Sequence, residues 1–312
     1  MHRNPLPAIK HLLSYVRDEK ESRRMFDIFR ARLPLSRTIL SRRELSNIES
    51  DYDAFIAGSD QIWNPENSAI NPMDCDRAYL LDFVRNKPKY AYAASIGKRS
   101  VDPPDLLREF VKLWELFTTI TMREHVGAEY VGNSIGRRVE TVVDPVLLHD
   151  STFWRNVASP VGQVGGYVLL YNIKRSSGLK EMAHKVARDR GVPVIDLLIP
   201  AQADNCKGNT TAAGPAEFLS YIEGADCVFT GSFHASAFSV IFGKKLYVQC
   251  PMRAGNANSR IETLFSWAQL PSEVQCETTD ERILFCDCRQ KDEESLNREI
   301  NRSREILMRM VE

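Results

Sequence analysis

The run Ala225-Asp226-Cys227-Val228-Phe229-Thr230-Gly231-Ser232-Phe233-His234-Ala235-Ser236-Ala237-Phe238-Ser239 constrains local structure most tightly. A short apolar stretch with β-branched and aromatic residues, closed by glycine, reads as a buried strand and a tight turn. The residues after it read as a helix opening on serine and histidine. That layout sets the imidazole of His234 near the first backbone N–H groups of a helix, at the carboxyl end of a strand. Open α/β sheets bind ligands at that edge. A helix N-terminus there suits an anion, because its first donors lack intrahelical partners and its dipole is positive. The residues alone leave a second reading open, in which Ser232 is only an N-cap and His234 packs within its helix.

The same shape recurs along the chain. Asp53-Ala54-Phe55-Ile56-Ala57-Gly58-Ser59-Asp60 is a short strand running into a Gly-Ser-Asp turn, and Tyr90 to Gly97 repeats it. Helical spacing covers 104–117, Thr118 to Met122 is strand-like, and Arg123-Glu124-His125 opens a helix. Val139 to Val143 is a strand closed by Asp144-Pro145. After Gly165-Gly166 the alternation restarts: a strand at Tyr167–Tyr171, a helix near Gly178–Arg190 and a strand at Val192–Ile199. A loop over 200–214 leads into a helix at Pro215–Ile222. A strand at Lys245–Gln249, a helix at Ser259–Ala268 and a charged amphipathic helix over 291–310 follow. Residues 1–50 are basic and read as a solvated helical arm. Strands alternating with helices imply parallel sheets.

With 312 residues, two domains are expected. The break at 145–165, rich in proline and glycine, marks the boundary. We therefore expect an α/β domain over 1–150, a Rossmann-like domain over 151–285, and a C-terminal helix over 286–312 packing back on the first domain. Lysine plus arginine and aspartate plus glutamate balance at 41 each, so no global field favours nucleic acid or an anionic membrane. No apolar run approaches the ~20 residues that span a bilayer. Seven cysteines at irregular spacing make no zinc set and fit a reducing cytosol.

Tyr52-Asp53-Ala54-Phe55-Ile56-Ala57-Gly58-Ser59-Asp60-Gln61-Ile62-Trp63-Asn64-Pro65 resembles the G-S-D-Q-x-W-N signature of the polysaccharide pyruvyl transferase family. Ala93 to Gly97, Met122-Arg123-Glu124, Val143-Asp144-Pro145, Gly214 to Phe218 and Gly231 to Ala235 follow in that family's order. The resemblance runs from about 50 to 270. It implies two Rossmann-like domains facing across a cleft, of the glycosyltransferase-B kind. It also implies transfer of the enolpyruvyl unit of phosphoenolpyruvate onto a sugar, often as a ketal bridging two hydroxyls. The Asn-Tyr-Gly loop with which the family usually begins does not precede Asp53, so the N-terminal domain reads as shortened. Many members carry Arg-Leu-His where this chain has Ser232-Phe233-His234.

Such chemistry needs a proton at the donor's methylene carbon, a hydroxyl for the oxocarbenium, and a hold on phosphate and carboxylate. It requires no metal or redox cofactor. Histidine suits proton transfer near neutral pH, and the resemblance singles out His234. Arg123 offers a bidentate fork to an oxyanion, against a salt bridge to an acid such as Asp144. Arg260 either replaces the charge missing at 232 or lies on a helix surface. Gly231 and Ser232 would approach the phosphate. Gly58, Ser59, Asp60 and Ser95 sit at strand ends, where Ser59 and Asp60 either bond sugar hydroxyls or cap a turn. Trp63 either stacks on a sugar or plugs the core, Glu217 either enters the cleft or caps its helix, and Asp144 reads as a turn residue. The expected partners are phosphoenolpyruvate and a saccharide or lipid-linked saccharide, with a homo-oligomer left open. The expected location is the cytoplasm, including the inner face of the membrane. In this picture His234, Arg123 and Arg260 share one anion pocket between the lobes. The alternatives are a glycosyltransferase using a nucleotide-sugar and a non-catalytic carbohydrate-binding relative.

Overall fold

The computed structural model describes residues 6–65, 77–162, 165–197, 211–252 and 259–312, without the side chains of 6–15. The chain is a mixed α/β protein with parallel sheets, and it divides into two compact units. One comprises Arg37–Leu148, Pro251–Gln269 and Asp292–Glu312; the other comprises Met1–Ser36, His149–Cys250 and Leu270–Lys291. The expected partition into 1–150, 151–285 and 286–312 differs from this one. The break near 149 recurs, but the first 36 residues group with the later Rossmann-like unit, and 251–269 group with the earlier one.

The unit around 37–148 holds four strands in sequential order: β1 (Phe55–Ala57), β2 (Lys89–Ala94), β3 (Thr119–Met122) and β4 (Glu140–Thr141). All three pairings are parallel. The strands are short and almost wholly buried, as parallel strands covered by helices should be. Trp63, Trp114 and Phe117 are at most 1% exposed and pack as an aromatic cluster with ring centroids 5.5–5.7 Å apart. Trp63 is thus a core residue, its indole N–H donating to the Tyr79 carbonyl. The strand expected over 139–143 is only two residues long. Its continuation is held by the C-terminal helix Glu293–Val311: the Val143 N–H donates to the buried Ser303 hydroxyl at 3.0 Å, and Arg302 pairs with Glu140. That helix covers what would otherwise be an open sheet edge.

In the other unit the sheet order is β6-β5-β7-β8-β10-β9, formed by β5 (Val168–Tyr171), β6 (Val194–Asp196), β7 (Cys227–Thr230), β8 (Lys245–Pro251), β9 (Glu273–Glu277) and β10 (Glu281–Asp287). Strands β6, β5, β7 and β8 run parallel, and β9 and β10 are antiparallel. Alternate residues Val168, Leu170, Cys227 and Phe229 bury one sheet face against Leu179, Ala183 and Ala187 of the helix Ser177–Arg190. The β9–β10 pair was not expected from the sequence: β9 is short and exposed along most of its length, with only Val274 and Cys276 apolar. The expected solvated arm is a helix, Leu6–Arg30, whose Ser22 is fully buried and donates to the Ala213 carbonyl at 2.8 Å. A helix also spans Ser151–Val157, inside the expected linker. The loop foreseen over 200–214 lies mostly outside the described residues.

Candidate functional site

In the unit around 37–148, the carboxyl ends of all four strands deliver polar residues. Strand β1 runs into Gly58-Ser59-Asp60, β2 into Ser95, β3 into Arg123-Glu124, and β4 leads to Asp144. Parallel pairing puts these ends on one edge of the sheet, where open α/β sheets bind ligands. The turn after β1 needs glycine: Gly58 has φ +130°, and a Cβ there would lie 2.0 Å from the Tyr92 carbonyl oxygen. Asp60 and Ala93 hold φ of 74° and 52° without being glycine. Ala93 lies in an irregularity of β2 between Ala91 and Ala94, where the buried Thr121 hydroxyl bridges the Ala91 carbonyl and the Ala93 N–H. Positive φ at non-glycine residues costs of order 1–3 kcal/mol each and clusters at functional sites.

Arg123 is the hub. Its side chain is fully buried, Nη1 donates to Asp144 at 2.8 Å and Nη2 to Asp60 at 2.9 Å. Burial works against its charge, but Asp144 and Asp60 outweigh that and raise its pKa above the ordinary value. Ser59 donates to the same Asp144 oxygen at 2.7 Å and to the Ala93 carbonyl. These bonds order the turn carrying Asp60, whose side chain is 58% exposed. Asp144 is a buried ion-pair partner and not merely a turn residue.

Ser95 is fully buried and donates to Glu124 Oε1 at 2.8 Å, so it braces Glu124 instead of meeting solvent. Glu124 is 1% exposed, and its other oxygen has no partner among the described residues. Burial pushes its carboxyl pKa up despite Arg123, Ser95 and Arg260 nearby. Arg260, in the first turn of the helix Ser259–Trp267, belongs to this unit and is only 9% exposed. Burial and the like charge of Arg123 lower its pKa to about 10, still charged at neutral pH. The Gln61 amide oxygen faces its two terminal nitrogens at 2.7 and 3.0 Å, an orientation set by the hydrogen-bond network. His125 is structural: its ring contacts the Thr141 hydroxyl at 3.2 Å and the edge of Trp267, and burial lowers its pKa.

In the other unit, β5 and β7 are neighbours whose following connections lead to opposite sides, a topological switch point. Strand β7 ends at Thr230, and Gly231-Ser232 lead into the helix Phe233–Ile241. Ser232 is its N-cap, accepting from the Ala235 N–H at 3.4 Å, while the Ser232 N–H donates to the Thr230 hydroxyl. A Cβ on Gly231 would meet the Gln249 amide oxygen at 2.8 Å, so the turn presses against β8. His234 is half-buried in the first turn, its ring edge-on to Phe233 at 5.5 Å. Glu217 closes a capping box, accepting from the Gly214 N–H at 3.1 Å.

Gly58, Ser59, Asp60, Ser95, Arg123 and Arg260 thus gather in one unit, and Gly231, Ser232 and His234 in the other. Gln61, Glu124 and Asp144 were not foreseen as site residues, although all three lie inside motifs visible in the sequence.

A family model described as polysaccharide pyruvyl transferase matches residues 7–248. No curated protein matches the chain. Two solved structures are similar at low identity. A Listeria monocytogenes protein described as a UDP-N-acetylglucosamine 2-epimerase has 12% identity and a TM-score of 0.41, over 70% of this chain and 64% of that one. The S. aureus MnaA–UDP co-structure has 10% identity and a TM-score of 0.40, over 71% and 66%. The chain thus spans just under two thirds of the length of each.

Proposed function

The chain belongs to the polysaccharide pyruvyl transferase family, and from that premise we propose that it transfers the enolpyruvyl group of phosphoenolpyruvate to a sugar of a surface polysaccharide or its lipid-linked precursor. The observation that carries this reading is the family match over 7–248, which includes both groups of strand-end residues except Arg260. The reaction balances simply. The donor's methylene carbon gains a proton and becomes a methyl group. One sugar hydroxyl oxygen bonds to the adjacent carbon. The bond from that carbon to the bridging oxygen breaks, phosphate leaves with the electron pair, and a second hydroxyl closes the ketal. Of the two hydroxyl protons released, one balances the proton delivered to carbon and one leaves with phosphate.

In this reading His234 delivers the proton, the role histidine side chains most often take in general acid–base catalysis. The N-terminus of its helix, capped by Ser232 after Gly231, favours the departing anion. Asp60 is the exposed carboxylate available to a sugar hydroxyl, with Arg123 and Ser59 ordering its turn. No helix among the described residues is long and apolar enough to cross a membrane. We place the reaction in the cytoplasm, at most peripheral to the membrane. The nucleotide-sugar alternative relied on Glu217 as a ribose acceptor, and that carboxylate is engaged in capping.

The test is His234→Gln. Phosphate release from phosphoenolpyruvate in the presence of acceptor should fall by about 10²–10⁴, the worth of general acid–base catalysis. Circular dichroism and the unfolding midpoint should stay in place. Undiminished turnover would remove His234 from the chemistry.

A further inference from the structure

We infer that Arg260 binds an oxyanion of the donor, its carboxylate or its phosphate, and that Gln61 is the positioning residue that holds Arg260 for it. The inference rests on the donor being phosphoenolpyruvate and adds which residues of the unit around 37–148 meet its charge.

Among the described residues, the buried arginines Arg123 and Arg260 differ in what their terminal nitrogens meet. Those of Arg123 bond two carboxylates, Asp144 and Asp60. Those of Arg260 meet the neutral amide of Gln61, and the nearby carboxylates Glu124, Asp60 and Asp144 act on its charge without a hydrogen bond to it among the described residues. The Nε of Arg260, like that of Arg123, has no acceptor among the described residues, although the side chain is nine-tenths buried. A buried cation with an unmet donor is costly, and an incoming anion relieves both defects. Arg260 also sits in the first turn of its helix, the end where a cation is disfavoured and an anion is welcome. A guanidinium fork matches the paired oxygens of a carboxylate or phosphate.

The brace is built into two motifs. Gln61 follows the Gly58-Ser59-Asp60 turn, and its amide packs beside Asn64 and beneath Gly97. At Gly97 φ is +65°, and a Cβ there would lie 2.2 Å from a terminal atom of the Gln61 amide and 2.6 Å from Asn64 Nδ2. The backbone at 97 thus leaves the space that Gln61 occupies on its way to Arg260. Glu124 stands nearby with one oxygen lacking a donor among the described residues. Burial pushes that carboxyl toward its neutral form, which weakens its hold on the charge of Arg260.

Gln61→Glu separates this role from simple packing. A carboxylate at 61 keeps the size of the brace and adds an ion pair to Arg260. A merely structural contact tolerates or gains from that change, whereas an oxyanion site loses the charge it needs. Two measurements on the full chain decide it, each with Gln61→Ala as a second variant. In steady-state kinetics, Gln61→Glu should raise KM for phosphoenolpyruvate about tenfold or more, the loss expected for one hydrogen bond to a charged group. KM for the saccharide should not move. In direct titration, the wild type should bind inorganic phosphate or pyruvate and Gln61→Glu should bind neither. The oxyanion that binds tells which end of the donor Arg260 holds. Wild-type binding without phosphoenolpyruvate turnover would overturn the proposed function and leave this site standing. A wild type that binds neither oxyanion, or a Gln61→Glu protein with unchanged KM for phosphoenolpyruvate, would overturn the inference.

Discussion

At the scale of single residues, the account turns on which charges are compensated. Asp144 is 1% exposed, and Arg123, Ser59 and the Val146 N–H all donate to its carboxyl oxygens. Arg123→Met leaves that carboxylate buried and uncompensated, and should lower unfolding stability by about 3–5 kcal/mol in chemical denaturation. A loss below about 1 kcal/mol, the range of exposed ion pairs, would contradict the hub described for Arg123. Glu124 gives a prediction of opposite character. Its folded pKa is raised by burial, above the ~4.3 of an unfolded glutamate. The stability it contributes is complete below the unfolded value and is lost as pH rises through the folded one. Glu124→Gln removes that dependence. As pH rises above the unfolded value the wild type should lose stability relative to the variant, and parallel curves would refute the raised pKa. The sequence singled out Arg123, with Asp144 as one candidate partner, but not Glu124. Asp144 lies 21 residues from Arg123 and meets it only because β3 and β4 pair in parallel. A lone Asp-Pro otherwise reads as a turn.

At the scale of elements, strands and turns were the most legible part. Apolar and aromatic runs ending in glycine located β1, β2 and β7, and a run opening after Gly165-Gly166 located β5, because buried parallel strands need such residues. The exposed β9 carries no such signal. The helix Leu6–Arg30 looked solvated because its charge is spread around it, yet Ser22 and Met25 meet the rest of their unit at Ala213 and Gly214. Gly58 is the element-level test. Alanine there must adopt a φ of +130° and push against the Tyr92 carbonyl. The conformational part alone costs roughly 1–3 kcal/mol, so the unfolding midpoint of Gly58→Ala should fall clearly. An unchanged midpoint would mean the turn after β1 is not held against β2 as described.

At the scale of the whole molecule, an α/β architecture was legible from the alternation of strands and helices, whereas each of the two units is assembled from three separate stretches of chain. The return of the first 36 residues and of 251–269 to the opposite units was not legible, because sequence order carries no record of which surface a terminal or looping segment covers. The family match spans residues of both units. The proposed reaction makes that chemistry measurable as a single stoichiometry. Phosphoenolpyruvate labelled at its methylene carbon should be incubated with the protein and a saccharide acceptor, with released phosphate and label on the sugar counted together. The account predicts one labelled methyl ketal on the acceptor for each phosphate released. Phosphate release with no label on any sugar, or transfer from a nucleotide-sugar instead, would contradict it.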